Sequence, residues 1–182
     1  MKNHFPITTD RLVVRRFREE DAQAFHGWRS DADVACYTLW EHPYSMAEAI
    51  AFCREQANFD EFPVGNWVQV FIEERETGVP VGDIGLGLNA DGDDALHVGY
   101  SIHRDHWGKG YATEAVGAVI PIVGKAIGAT SVKAEIDVRN PASGKVLSKL
   151  GFKAGPVCPR RSFVKGEWCD EIDYVLPFSA KD

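Results

Sequence analysis

Trp107-Gly108-Lys109-Gly110-Tyr111-Ala112-Thr113-Glu114-Ala115 is the stretch on which the reading of this chain turns. It follows a strand-like run, Leu96 to His103, and opens an amphipathic helix. Glycine and alanine remove side-chain bulk where strand passes into helix. The first N–H groups of such a helix have no partner inside it, so they point outward and can hold a phosphate. The spacing is not a Walker loop, because no Gly-Lys-Ser/Thr closes it. Nor is it a dinucleotide fingerprint, because Thr113 stands where the third glycine belongs. Taken alone, Gly-x-Gly before a helix also reads as a plain strand-to-helix turn.

The flanking sequence gives that turn its setting. Ala112, Ala115, Val116, Val119, Ile120, Val123, Ala126 and Ile127 recur at helical spacing, and Gly128 is the expected C-cap. Pro121 lies inside this pattern, where it removes a backbone bond or kinks the helix. Ser131 to Val138 alternates as a strand, with Lys133, Glu135 and Asp137 on its polar side. Asn140 then reads as an N-cap, Pro141 as the first helical residue and Gly151 as the stop.

Upstream, Arg11 to Phe17 reads as a strand, and Glu19-Glu20-Asp21 suits a helix N-terminus leading to Ala22, Phe25 and Trp28 or Arg29. Ser45 with Glu48 forms a capping box for a second helix bearing Ala49, Ile50, Phe52, Cys53 and Ala57. Asn66 to Glu74, Val79 to Leu88 and Leu96 to His103 form a predicted meander, with a polar loop over 89–94. Gly82, Gly85 and Gly87 weaken its middle strand or mark bulges. Phe152 to Val157 and Trp168 to Leu176 complete the chain as a strand pair. The result is an α/β mixture around a mostly antiparallel sheet, expected to fold as one domain over 1–182.

Composition excludes several function classes. No apolar run is long enough to span a bilayer, and Met1-Lys2-Asn3-His4 does not begin like a signal peptide. Cys36, Cys53, Cys158 and Cys169 are scattered with no C-x-x-C pair, which points to free thiols in a reducing cytoplasm and no zinc site. The net charge of −7 argues against nucleic-acid binding. It is unevenly spread. His42 to Val98 holds eleven acids and two bases, whereas Gly99 to Lys165 holds eleven bases and four acids. A basic second half suits a polyanionic ligand and an acidic first half a cationic amine. Both are equally read as solvated faces.

Gly99-Tyr100-Ser101-Ile102, the Trp107 to Ala115 segment, Asn140-Pro141-Ala142-Ser143 and Leu150-Gly151-Phe152 together resemble the GNAT superfamily of acetyl-CoA-dependent N-acetyltransferases. The opening Thr9-Asp10-Arg11-Leu12-Val13-Val14-Arg15 resembles its Rim-type branch, which acetylates N-termini of ribosomal proteins. The likeness runs from about Thr9 to about Leu176. It implies a sheet splayed open between the fourth and fifth predicted strands, with the pantetheine arm held there by backbone groups of Ser101, Ile102 and His103. It implies that acetyl-CoA binds by its pyrophosphate at Gly108, Lys109, Gly110, Tyr111, Ala112 and Thr113. The family pattern starts with Gln or Arg, where this chain has Trp107. A homodimer is a family-level expectation.

Acetyl transfer to an amine needs a base, a donor for the carbonyl oxygen and a donor for the departing thiolate. By resemblance Ser143 donates to the coenzyme sulfur, Asn140 lines the coenzyme site and Glu135 stands where some relatives carry the base. The tyrosine acid that many members place seven residues after the asparagine is absent, since Leu147 occupies that position. Each residue also has a plainer reading: Ser143 as a helix-start serine bonding backbone, Asn140 as a cap, Glu135 as an ion-paired strand residue. His97, His103 and Asp137 are further base candidates. Tyr37, Trp40 and Tyr44 either wall the acceptor pocket or pack an aromatic corner.

The expected activity is acetylation of a protein or peptide N-terminal amine. A small amine such as a polyamine, amino sugar or antibiotic is the alternative acceptor. A non-catalytic acyl-CoA-binding module and a nucleotide-binding domain are alternatives of other classes, the last lacking any acidic metal-ligand pattern.

Overall fold

The structure, a computed structural model, describes residues 4–59, 66–88 and 94–178. Along the chain run β1 (Ile7–Thr8), β2 (Leu12–Arg16), α1 (Ala22–Arg29), α2 (Ala32–Ala35), α3 (Met46–Asn58), β3 (Trp67–Glu74), β4 (Pro80–Leu88) and β5 (Ala95–Ile102). They are followed by α4 (Tyr111–Ile127), β6 (Ser131–Asp137), α5 (Pro141–Lys149), β7 (Lys153–Val164) and β8 (Glu167–Pro177). The predicted loop over 89–94 lies, apart from Asp94, outside the described residues.

The strands form one sheet in the order β1-β2-β3-β4-β5-β6-β8-β7, antiparallel except where β5 meets β6. A parallel neighbour requires a crossover, and α4 supplies it. The parallel ladder holds only at Ala95↔Ser131, Leu96↔Val132 and His97↔Lys133. Beyond His97, β5 runs on to Ile102 and β6 to Asp137 without pairing with each other, β5 bonding only β4 and β6 only β8. The sheet is therefore open between these two strands, as the resemblance implied.

Alternation along the strands feeds a core on each side of the sheet. Leu96, Val98 and Val132 pack with Ala115, Val116 and Val119 of α4 and Leu147 of α5. Phe71 instead joins Phe17, Phe25, Trp28 and Cys53 under α1 and α3. Burying each such large apolar side chain contributes about 1.5–3 kcal/mol, so both cores hold the open sheet in shape.

The local signals read from sequence account for the helix ends. Ser45 and Glu48 form the reciprocal capping box at α3. Gly128 caps α4 at φ 68°, and Asn140 accepts from the Ser143 N–H at the head of α5. The helix α4 runs on through the exposed Pro121.

The middle-strand glycines serve more than one purpose. The bulge between Ile72 and Glu73 falls beside Gly82. Gly85 and Gly87 form a bed for the half-exposed Trp67 ring, since a Cβ on either would lie 3.1 Å from it. Sequence periodicity missed α2 and β1, which are too short to carry a pattern. It also stopped β7 at Val157, whereas the strand reaches Val164. Pro156 and Pro159 interrupt that edge strand, its register shifts at Ala154/Val157 and Cys158/Ser162, and Arg160 adopts φ 50°.

Candidate active site

Gly108 to Thr113 spans the end of the loop that joins β5 to α4 and the first turn of α4. Gly110 takes φ 80° and ψ 7°, and Gly108 takes φ 75°. These are left-handed conformations that β-branched residues resist. No side chain caps α4 at Gly110, so the N–H groups of Tyr111, Ala112 and Thr113 meet the solvent at the positive end of a seventeen-residue helix. Donors so placed suit an anion such as a diphosphate.

The Trp107 indole N–H donates to the Ile102 carbonyl at 2.7 Å. A residue that departs from the family pattern thus ties the loop to the end of β5. On the other flank, Tyr111 donates to Glu74 at 2.9 Å, and the buried His106 lies 3.4 Å from Lys109 Nζ. Burial, followed by the nearby Lys109 charge, holds His106 below the ordinary histidine range.

Along the opening, the His103 N–H donates to the Val81 carbonyl at 2.8 Å. In an antiparallel ladder every second residue faces the same partner. Ser101, which pairs with Asp83, therefore also turns its backbone groups toward β4. The expectation that Ser101, Ile102 and His103 all offer backbone groups to the pantetheine arm is corrected accordingly. The residues whose backbone faces the opening are Tyr100 and Ile102.

Tyr100 is the residue sequence reasoning missed. Its hydroxyl reaches across the opening to α5, where it lies 2.7 Å from Ser143 Oγ and 3.0 Å from the Ser143 carbonyl oxygen. Burial pushes its pKa up to about 12, so it remains a phenol at neutral pH. The available signal was a tyrosine on the apolar side of a strand, whose hydroxyl needs a partner. Asn140 Oδ1 accepts from the Ser143 N–H at 3.1 Å, which fixes the serine backbone and leaves its hydroxyl toward Tyr100. Leu147, at the usual tyrosine position, is fully buried in the core.

Glu135 lies on the opposite face of the sheet from Ser143's helix. Its Oε1 accepts from Arg161 at 3.0 Å, and the same guanidinium bonds Asp173 at 2.5 Å and lies 3.5 Å from Glu171. Asp137 is held by Arg139, whose hydrogen bonds keep its carboxyl below the ordinary range. That makes Asp137 a poor proton acceptor. His97 stands on β5 at the last rung before the opening, its ring 6.5 Å from Trp67. His103 Nδ1 accepts from the Asp105 N–H as a cap.

The three aromatic candidates divide. Trp40 stacks on the Arg29 guanidinium at 3.7 Å, and Tyr44 packs edge-on to Phe25, so both belong to the corner around α1. Tyr37 is exposed and lies nearer Arg139. An open cleft of about 660 Å³ runs beside this region, lined by Glu41, His42, Phe163, Lys165 and Gly166. The fully buried Asp83 accepts from Trp28 at 2.8 Å and pairs with Arg29 at 3.3 Å. Among the described residues, no group of three or more His, Cys, Asp or Glu could hold a metal ion. Nor is any helix there long and apolar enough to cross a membrane.

An open sheet with an uncapped helix N-terminus at its mouth is the arrangement that the sequence resemblance implied. Residues 11–153 match the family model described as an acetyltransferase (GNAT) domain. The chain belongs to that family. It is an acetyl-transfer enzyme, and acetyl-CoA is its donor substrate. It is 30% identical over 173 residues to the uncharacterized N-acetyltransferase YoaA of Bacillus subtilis, covering 94% of this chain and 97% of that one. Two solved structures share the fold. One is a putative ribosomal-protein-serine acetyltransferase from Vibrio cholerae, with TM-score 0.80, 22% identity and coverage of 98% and 100%. The other is spermidine N-acetyltransferase from Vibrio cholerae in complex with CoA and spermine, with TM-score 0.79, 15% identity and coverage of 96% and 100%.

The loop assignment has a direct test. Gly110→Val forces a β-branched residue to φ 80°, although a Cβ there has room, its nearest neighbour being Arg11 Nη2 at 3.6 Å. The strain, about 1–3 kcal/mol, is relieved only by moving the amides. CoA affinity measured by calorimetry is expected to fall about tenfold or more, or about 1.4 kcal/mol. Unchanged affinity in a folded variant refutes the assignment.

Proposed function

We propose that the enzyme acetylates the α-amine of a protein or peptide N-terminus. The observation that carries this reading is the state of the acids on the acceptor face. Glu135, Glu171 and Asp173 share one guanidinium, Arg161, and the open cleft mixes Glu41 with Lys165 and Phe163. A polycation needs several uncommitted carboxylates, whereas a chain end needs an open groove with apolar and hydrogen-bonding walls. The structural relatives include acceptors of both kinds, so fold likeness does not choose between them.

In this mechanism the diphosphate sits on the α4 amides and the pantetheine arm runs along Tyr100 and Ile102 into the opening. The amine nitrogen attacks the thioester carbonyl from the acceptor face. The Ser143 hydroxyl donates a hydrogen bond to the departing sulfur, which leaves as the thiolate, with Tyr100 donating in turn to Ser143 Oγ. Glu135, whose Oε1 is held by Arg161 at 3.0 Å, takes the ammonium proton on Oε2, through water. An N-terminal amine has a pKa of about 8, so little driving force is required of the base near neutral pH.

Two measurements test this. Free-thiol release should appear with peptides bearing an open N-terminus, vanish when that terminus is pre-acetylated, and be weak with spermidine. Faster turnover of spermidine than of any peptide overturns the reading. Glu135→Gln keeps the shape and loses the basicity. Its turnover is expected to fall about tenfold or more at pH 6–7, where the amine is mostly protonated, and to recover partly as pH rises toward about 8. A wild-type profile removes Glu135 from the mechanism. A rise in acceptor KM alone identifies it as an anchor for the ammonium.

A further inference from the structure

The Thr9-Asp10-Arg11-Leu12 motif precedes Gly108 to Thr113 by about a hundred residues, yet the side chains of Thr9 and Arg11 end at that loop and the first turn of α4. We propose that Thr9 and Arg11 are positioning residues for coenzyme binding, acting through Glu114. The proposal rests on the reading that Gly108 to Thr113 holds the diphosphate.

The contacts are mutual and directional. Arg11 Nη1 donates to the Lys109 carbonyl at 2.9 Å, between the two left-handed glycines. Its Nε donates to Glu114 Oε2 at 2.7 Å, and its backbone N–H to Glu114 Oε1 at 3.0 Å. Thr9 Oγ1 donates to Glu114 Oε1 at 2.6 Å and accepts from the Leu12 N–H at 2.9 Å. The guanidinium also lies over the Tyr111 ring at 4.7 Å. The first turn of α4 and the loop before it are thus fastened to the start of β2.

Charge explains why the fastening bears on the ligand. Glu114 stands in the first turn of α4, where the dipole favours an acid but a bound diphosphate opposes one. Arg11 neutralises it. Burial alone pushes the Glu114 carboxyl up, and hydrogen bonds from Thr9 and Arg11 more than offset this, so it stays ionised. Without Arg11, the Lys109 carbonyl loses its donor and an uncompensated carboxylate faces the phosphates. Half of the Arg11 side chain remains exposed, so its charge also reaches the mouth of the site. The effect is therefore specific to the anionic part of the coenzyme.

The test compares equilibrium binding of CoA with that of pantetheine, which lacks the diphosphate and nucleotide. Arg11→Met is expected to weaken CoA binding about tenfold and leave pantetheine binding and thermal stability near wild type. Thr9→Val should weaken CoA binding about threefold. Adding Glu114→Gln to Arg11→Met should recover part of the loss, because it removes the uncompensated charge. Unchanged CoA affinity in Arg11→Met overturns the proposal, as does an equal loss for CoA and pantetheine, which marks a general structural role. If Arg11→Met does not fold, Arg11→Lys is read the same way. Lysine keeps the charge but cannot span Lys109 and Glu114 together, so a CoA-selective loss supports the proposal and wild-type affinity overturns it. Gly110→Val separates the two levels. If it leaves CoA affinity intact, the loop reading itself is wrong; if it weakens CoA while Arg11→Met does not, only the role of Arg11 falls.

Discussion

Ser143→Ala is expected to lose about a hundredfold in turnover while binding CoA as the wild-type enzyme does. Removing one donor aimed at developing negative charge costs about 10²–10³ in other acyl-transfer sites. In the proposed mechanism the serine hydroxyl bonds the coenzyme sulfur strongly only as the thiolate forms, so ground-state affinity should be spared. Its backbone is already fixed by Asn140 Oδ1, at 3.1 Å from the Ser143 N–H, so alanine leaves α5 capped. Tyr100→Phe is the companion variant. It removes the 2.7 Å contact to Ser143 Oγ while keeping the ring in the core, and should cost less than Ser143→Ala. If the serine only begins a helix, the loss appears in melting temperature rather than in turnover. Thiol-release kinetics and a thermal melt on each variant decide between these outcomes.

Asp83→Ala is expected to destabilise the fold by about 3–5 kcal/mol, the range for removing one partner of a buried ion pair. Asp83 is fully enclosed, and burial raises its pKa against the opposing pull of Arg29 and the Trp28 hydrogen bond. Removing the carboxylate strands a guanidinium that is itself buried and whose Nε has no hydrogen-bond partner. Stacking on Trp40 at 3.7 Å and Phe25 at 4.6 Å compensates that guanidinium only in part. The urea midpoint should fall without a change in m. A loss below about 1 kcal/mol would mean that Arg29 relaxes to solvent. Asp83→Asn keeps an acceptor for Trp28 and should fall between the wild type and Asp83→Ala.

Local signals in this chain were legible because each is written within a few residues. The α4 periodicity, Gly128, the Ser45–Glu48 box and the Asn140–Pro141 start all correspond to elements in the structure. The open sheet followed from the combined motifs, since no periodicity describes a ladder that stops after three rungs. What the sequence left hidden are pairings between distant segments. Tyr100 and Ser143 are 43 positions apart, Trp28 and Asp83 are 55, and Arg11 and Glu114 are 103. The backbone parity of β5 was hidden too. It depends on which neighbour His103 bonds, and alternation of side chains carries no trace of that. Glu135 was correctly read as projecting from a polar strand face, yet its partner Arg161 lies in a stretch of β7 that the sequence pattern did not reach.

The interrupted β7 has a consequence for how the protein behaves in crowded solution. An outermost strand offers free N–H and C=O groups on which another chain could extend the sheet. Here Pro156 and Pro159 supply no N–H, and two register breaks and the left-handed Arg160 bend the rail that a newcomer would have to follow. At the far margin β1 is only two residues long. Both borders are poor templates for end-to-end growth. Aggregation on heating should therefore start from melted cores rather than from native molecules joining edge to edge, and fibres should not be seeded by the folded enzyme.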